Sequence, residues 1–166
     1  MHTAPVRIVF VCTGNICRSP MAEAIAREVL GRSGPAVEVE SAGIAAIDGN
    51  PASECACAVA AEHGLDLSTH RARRLTAALA ASADLVVAMT AGQATAAERL
   101  GAPRVVMIGP IPDPFGSGLD AYRETFSLLA ELVPGVLGLA RPDATSHAAS
   151  DPHRVGLPRL DRPARG

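Results

Sequence analysis

A cysteine and an arginine six residues apart stand in a polar turn that follows an apolar stretch. Cys12 directly follows the apolar run over residues 6–11, and Arg18 lies two residues before Pro20. A cysteine thiolate is a good nucleophile, and a planar guanidinium can bind two phosphoryl oxygens at once. The pair therefore predicts phosphoryl chemistry with Cys12 as the nucleophile and Arg18 as the clamp.

The turn between them has the composition of an anion cradle. Successive backbone N–H groups, together with the positive end of a following helix, hold a phosphate-sized dianion and stabilise a thiolate beside it. Gly14 and Asn15 are residue types that tolerate a left-handed backbone, and the Ser19 hydroxyl can donate to the sulfur. The predicted phosphate-binding residues are Thr13, Gly14, Asn15, Ile16, Cys17 and Arg18.

The elements that must position this turn alternate between strand and helix. Residues 6–11 form an apolar run broken only by Arg7, typical of a strand covered on both faces of a parallel sheet. Further strands are predicted at residues 37–40, 84–89 and 104–108, and helices at 21–30, 52–63, 75–81, 91–100 and 119–133.

This alternation predicts an α/β fold, a single-domain three-layer αβα sandwich around a mostly four-stranded parallel sheet. The phosphate loop follows its first, central strand. We expect residues 41–43 to turn away from their strand, and Pro134 with Gly135 to interrupt the last helix. The predicted domain spans residues 1–140, and the Arg-, Asp- and Pro-rich residues 141–166 are predicted to be a disordered tail.

Composition excludes several functions. A net charge of −2 argues against nucleic-acid binding, and no apolar run reaches the length needed to span a membrane. All 15 basic residues are arginines, which excludes a Schiff-base lysine and a Walker loop. The four cysteines all lie within residues 12–57, so we expect reduced thiols, a cytoplasmic location, and no metal or cofactor.

The segment 11–20, Val-Cys-Thr-Gly-Asn-Ile-Cys-Arg-Ser-Pro, resembles the signature of the low-molecular-weight protein tyrosine phosphatases. The resemblance covers about residues 6 to 140, through segments 21–24, 41–43, 70–73, 83–86, 89–90 and 113–116. It implies hydrolysis of phosphotyrosine through a cysteinyl-phosphate intermediate. We expect a phosphorylated protein as partner, with a tyrosine kinase or its targets as candidates, and a monomer or weak dimer.

Asp113 is the predicted proton donor. It lies in a proline-rich loop after the last strand, at the same sheet edge as Cys12 if all strands are parallel. The position of Asp113 is equally typical of a solvated aspartate in a turn. The resemblance, whose general acid occupies this Asp-Pro motif, implies the catalytic role. It also implies that Asn15, Ser41 and His70 form a hydrogen-bond network that braces the loop.

Substrate choice stays open between phosphotyrosine and phosphoarginine. The protein-arginine phosphatases of the same family resemble this chain in segment 113–117, but they carry threonine where this chain has Ile16. An apolar Ile16 favours a phenyl ring over a guanidinium. Ile47 stands where many tyrosine-specific members have an aromatic wall, and Phe115 replaces their tyrosine. Ile16, Ile47 and Phe115 form the predicted substrate wall.

Three further alternatives concern the cysteines and the catalytic pair. An arsenate reductase would need resolving cysteines late in the chain, and none follows Cys57. A non-catalytic phosphoprotein-binding module would lack either Cys12 or Asp113. Cys17 is close enough in sequence to pair with Cys12 under oxidant, although ordinary packing explains it equally well.

Overall fold

Strands and helices alternate along residues 4–31 and 36–140, which the computed structural model describes. The described residues form four strands and five helices. In chain order they are β1 (Val6–Cys12), α1 (Arg18–Leu30), β2 (Val37–Gly43), α2 (Glu54–Glu62), α3 (Ala77–Ser82), β3 (Leu85–Ala88), α4 (Ala91–Arg99), β4 (Val105–Met107) and α5 (Leu119–Leu139). The sheet is parallel with strand order β2-β1-β3-β4, so the first strand is central, as predicted.

Both faces of β1 are buried, which explains its continuous apolar sequence. Ile8 and Phe10 point into a core shared with α1, α2 and α5. Val9 and Val11 point the other way, into a smaller core that includes side chains of α3 and α4. Helices therefore cover both faces of the sheet, and the predicted three-layer α/β sandwich is confirmed.

The parallel register brings the carboxyl ends of the strands to one edge. Cys12 pairs with Gly43 across β1 and β2, and Ala88 of β3 pairs with Val11 of β1. The expected turn at residues 41–43 was wrong, because these residues continue β2 in register with the last three residues of β1. Loops leaving this edge can therefore meet above the central strand.

The helix bounds also differ from the prediction, by one or two residues in α2, α3 and α4 and by more in α1 and α5. α1 begins at Arg18 rather than at residue 21, so Pro20 lies within its first turn, where a missing N–H costs little. α5 runs past Pro134 to Leu139. Val133 and Val136 stay buried on either side of the exposed proline, so continued core packing outweighs the lost hydrogen bond.

The predicted tail, residues 141–166, lies outside the described residues, and the domain boundary at 140 stays a prediction. In residues 4–31 and 36–140, no helix combines the length and the apolar character needed to cross a membrane.

Candidate active site

A pocket of about 190 Å³ opens at the carboxyl edge of the sheet. It is lined by Cys12, Thr13, Gly14, Ile16, Cys17, Arg18, Asp113 and Phe115. The predicted nucleophile, clamp and proton donor thus share one cavity, although they come from two distant segments. A larger cleft of about 480 Å³ lies elsewhere, beside Glu23 and His70, and no cysteine lines it.

Cys12 lines the pocket and is buried, with only 2% of its surface exposed. Its Sγ lies 2.9 Å from the Ser19 Oγ, close enough for the hydroxyl to donate to a thiolate. Within the described part of the chain, the backbone N–H groups of residues 14–17 donate no hydrogen bond. The N-terminus of α1 has no side-chain cap and no acidic residue in its first turn. This positive end favours a bound anion and a thiolate.

Arg18 is the second buried residue of the pocket, with 4% of its surface exposed. Its Nη1 donates to the Ile111 carbonyl oxygen at 3.0 Å, and its Nη2 lies 3.6 Å from Asp113 Oδ2. Its Nε is buried without a hydrogen-bond partner among the described residues. Because an unpaired buried donor is costly, this Nε is suited to donate a hydrogen bond to a phosphoryl oxygen.

Asp113 faces the guanidinium from the loop after β4. Its side chain is 52% exposed, and its Oδ1 accepts a hydrogen bond from the Phe115 backbone N–H at 3.1 Å. This local bond fixes the direction of the carboxyl and leaves Oδ2 towards Arg18. The carboxyl is therefore accessible to both a leaving group and water.

Asn15 is the centre of the bracing network. It is fully buried in a left-handed conformation with φ of 56°, and its Nδ2 donates to Ser19 Oγ at 2.8 Å and to Ser41 Oγ at 2.9 Å. The Asn15 carbonyl oxygen lies 2.7 Å from His70 Nε2, and its Oδ1 accepts from the Arg73 backbone N–H. The structure thus brings together the three side chains expected to support the loop.

Gly14 does not adopt the left-handed conformation that its residue type allows. Its φ is not positive, and in the turn over residues 12–17 only Asn15 takes the left-handed conformation. The glycine that the loop requires is Gly43 of β2, which sequence analysis missed. A Cβ at Gly43 would lie 2.5 Å from the Thr13 carbonyl oxygen and 2.8 Å from the Asn15 nitrogen. A glycine ending the strand next to β1 was the available signal.

Glu23 is a second residue that sequence analysis missed. Its Oε2 lies 3.4 Å from Ser41 Oγ and 3.9 Å from His70 Nδ1. Burial raises the pKa of Glu23, while the nearby Arg27 and His70 oppose that rise. Glu23 thus closes the bracing network behind the loop. An acidic residue among the apolar residues of α1 was its only sequence signal.

The three predicted wall residues do not lie together. Ile16 and Phe115 line the pocket, and Phe115 is 65% exposed at its rim. Ile47 is 69% exposed and is not among the lining residues. Two of the three predicted wall residues, Ile16 and Phe115, can therefore contact an apolar group of a substrate in the pocket.

Cys17 directs its thiol towards α5 and α2. Its Sγ lies 3.2 Å from the Tyr122 hydroxyl and 3.4 Å from Ser53 Oγ. Burial raises the pKa of the Cys17 thiol. This polar cluster ties the loop to two helices, and Cys17 and Cys12 are both free thiols in the structure.

Tyr122 offers a direct test of this packing, because it is the single tyrosine of the chain and there is no tryptophan. Burial, and then its contact with Cys17, raises its pKa to about 12. An unfolded tyrosine titrates at about pH 10. The stability that depends on a protonated Tyr122 is therefore fully present below that pH and is lost as the pH rises towards 12. We expect tyrosinate absorbance of the native chain to lag that of the chain in denaturant. A native midpoint equal to the denatured one, with circular dichroism unchanged, would contradict the buried placement.

Comparisons with known proteins point to one family. The family described as low molecular weight phosphotyrosine protein phosphatase matches residues 7–144. A probable low molecular weight protein-tyrosine-phosphatase, EpsP of Ralstonia nicotianae, is 40% identical over 130 residues, which cover 74% of this chain and 87% of the relative. The protein-arginine-phosphatase of Bacillus subtilis is 39% identical over 137 residues, covering 76% of this chain and 91% of the relative.

A solved structure shares the fold. It is a mutant of the arginine phosphatase YwlE with a phosphorylated active-site serine, and it superposes with a TM-score of 0.76 at 36% sequence identity. The match covers 82% of this chain and 97% of that one. On the family match and these relatives, the chain belongs to the low-molecular-weight phosphotyrosine protein phosphatases.

Proposed function

We propose that this chain is a protein phosphatase that hydrolyses phosphotyrosine through a phosphocysteine on Cys12. The observation that carries the proposal is the shared pocket, which is lined by Cys12, Arg18 and Asp113. Among the described residues, the buried Nε of Arg18 has no hydrogen-bond partner, and its Nη2 lies 3.6 Å from the Asp113 carboxyl. Its cavity of about 190 Å³ has apolar contributions from Ile16 and Phe115, which suit a phenyl ring.

In the first step, the Cys12 thiolate attacks phosphorus in line with the leaving oxygen. The S–P bond forms as the P–O bond to the phenol breaks, and Asp113 gives its proton to the leaving oxygen. Arg18 and the backbone N–H groups of residues 14–17 bind the equatorial oxygens, whose charge they stabilise in the transition state. The products of this step are free tyrosine on the substrate and phosphocysteine on the enzyme.

In the second step, water attacks the phosphocysteine. The Asp113 carboxylate, now without its proton, takes one from the water, and the S–P bond breaks as phosphate forms. The leaving group is the Cys12 thiolate, which the Ser19 hydroxyl stabilises at 2.9 Å. Both the thiolate and the protonated Asp113 are thereby restored.

Phosphoarginine is the second candidate substrate. It is favoured by the 39% identity to the Bacillus subtilis protein-arginine-phosphatase. The apolar Ile16 in the pocket lining counts against it, because a guanidinium buried against isoleucine lacks a polar partner.

Turnover of phosphotyrosine and phosphoarginine peptides by the purified chain separates these two functions. We expect a higher kcat/KM on phosphotyrosine, and Ile16→Thr should shift the ratio towards phosphoarginine by about tenfold, since the hydroxyl supplies a partner for the guanidinium. Ile16→Val is the matched control, because valine has the shape of threonine without its hydroxyl. A parent that prefers phosphoarginine would make the second candidate the function. If the ratio of kcat/KM on the two substrates were equal in Ile16→Thr and Ile16→Val, residue 16 would not determine the choice of substrate.

We further propose that the enzyme acts in the cytoplasm on a phosphorylated protein, with a tyrosine kinase or its targets as candidate substrates. The mechanism requires a reduced Cys12, which the cytoplasm maintains.

A monomer is supported by the edge strand β2, two of whose carbonyl oxygens accept hydrogen bonds from arginines. Arg27 Nη2 binds that of Val39 at 3.1 Å and Arg73 Nε binds that of Ser41 at 3.0 Å.

A further inference from the structure

Gln93, in the first turn of α4, is a buried polar side chain that the mechanism above does not use. It is 2% exposed, and its amide makes three hydrogen bonds. Its Oε1 accepts from the backbone N–H groups of Met89 at 3.0 Å and Thr90 at 3.2 Å. Its Nε2 donates to Thr13 Oγ1 at 3.2 Å. The amide therefore joins the end of β3 to the residue that follows the nucleophile.

The same segment also supports the clamp. The Met89 carbonyl oxygen accepts from the Ile111 backbone N–H at 2.9 Å, and the Ile111 carbonyl oxygen accepts from Arg18 Nη1 at 3.0 Å. The backbone at Gly109 packs closely against Met89, since a Cβ at Gly109 would lie 2.5 Å from the Met89 carbonyl oxygen. One continuous path of hydrogen bonds thus runs from Thr13 through Gln93 and Met89 to the guanidinium.

We propose that Gln93 is a positioning residue that fixes the start of the phosphate loop relative to Arg18. This inference rests on the proposed function. Phosphate is bound from two sides, by the loop N–H groups and by the guanidinium, so its affinity depends on the distance between them. Gln93 sets that distance because its one side chain contacts both Thr13 and the Met89 N–H. Met89 in turn binds Ile111, whose carbonyl oxygen holds Arg18.

Gln93→Met tests the inference, because methionine has a similar length and no amide. The variant leaves the Met89 and Thr90 N–H groups without their acceptor and releases Thr13. We expect the inhibition constant of inorganic phosphate, measured against nitrophenyl phosphate, to rise about tenfold. We expect kcat to fall several-fold as well, since the same contacts act in the transition state.

Thr90→Val is the matched control for a purely structural effect. The Thr90 hydroxyl accepts from the Gln93 backbone N–H at 3.4 Å and caps α4. Within residues 4–31 and 36–140, this hydroxyl makes no hydrogen bond with the loop over residues 12–18. Both variants should lower the melting temperature, since both weaken the start of α4. We expect the phosphate inhibition constant to stay within about twofold of the parent in Thr90→Val only.

Thr13→Val gives an independent measurement if Gln93→Met does not fold. Valine removes the acceptor of the Gln93 amide and keeps the backbone of the loop, so we expect phosphate inhibition to weaken about three- to fivefold. A phosphate inhibition constant within twofold of the parent in Thr13→Val, or in a folded Gln93→Met, overturns the inference and leaves the phosphatase function standing. A parent that neither turns over phosphomonoesters nor binds phosphate overturns both.

Discussion

Replacing Cys12 by serine is expected to lower kcat/KM on phosphotyrosine by roughly 10⁴-fold or more, as removal of a covalent nucleophile does elsewhere. A serine hydroxyl stays protonated at neutral pH, and the nearby Ser19 hydroxyl cannot take its proton. The loop and Arg18 remain in place in this variant. Phosphate should therefore still bind, so the loss is expected in kcat rather than in phosphate affinity.

Cys57→Ser is the control for the cysteine-to-serine change. Cys57 lies on α2, is partly buried, and does not line the pocket. We expect this variant to keep parental kinetics. A Cys12→Ser protein that retains more than about 1% of parental turnover would mean that another group attacks phosphorus.

Removing the proton donor gives the second largest effect. Asp113→Asn should lower kcat on a phosphotyrosine peptide about 10²- to 10³-fold, because both the leaving phenol and the attacking water lose their proton-transfer partner. Asparagine keeps an oxygen for the Phe115 N–H, so the loop geometry is retained. With nitrophenyl phosphate, whose leaving group needs little protonation, only the second step should slow.

Asp120→Asn is the matched control for this change. Asp120 lies in the first turn of α5, where its carboxylate pairs with Arg123 at 2.9 Å outside the pocket. We expect its kinetics to equal those of the parent. If the pre-steady-state burst with nitrophenyl phosphate slowed as much as peptide turnover in Asp113→Asn, the loss would reflect damage to the pocket and not missing proton transfer.

Much of the fold and of the pocket could be predicted from patterns within short stretches of sequence. The apolar run of β1, the polar turn after it and the helix that follows are neighbours in sequence, so their arrangement follows from periodicity and helix electrostatics. The parallel alternation then predicted that Asp113 and Cys12 meet at one edge, and both line the same cavity. These features depend on rules that act over a few residues or on one topological rule.

The features that were missed depend on contacts between distant segments. Gln93 contacts Thr13 across 80 positions of sequence, and Gly43 is required by the close approach of β2 to the loop after β1. α5 continues past Pro134 because side chains on its opposite face pack into the core. Propensity describes a residue's preference alone, and tertiary packing decided each of these cases.

The covalent intermediate on Cys12 decides the mechanism, and Asp113→Asn is the variant in which to find it. During turnover of nitrophenyl phosphate, this variant should form phosphocysteine faster than it hydrolyses it. We predict that acid quenching followed by intact mass and peptide mapping finds one phosphoryl group per chain, on the Cys12 sulfur. Turnover without any covalently bound phosphorus, or with phosphorus on another residue, would contradict the account.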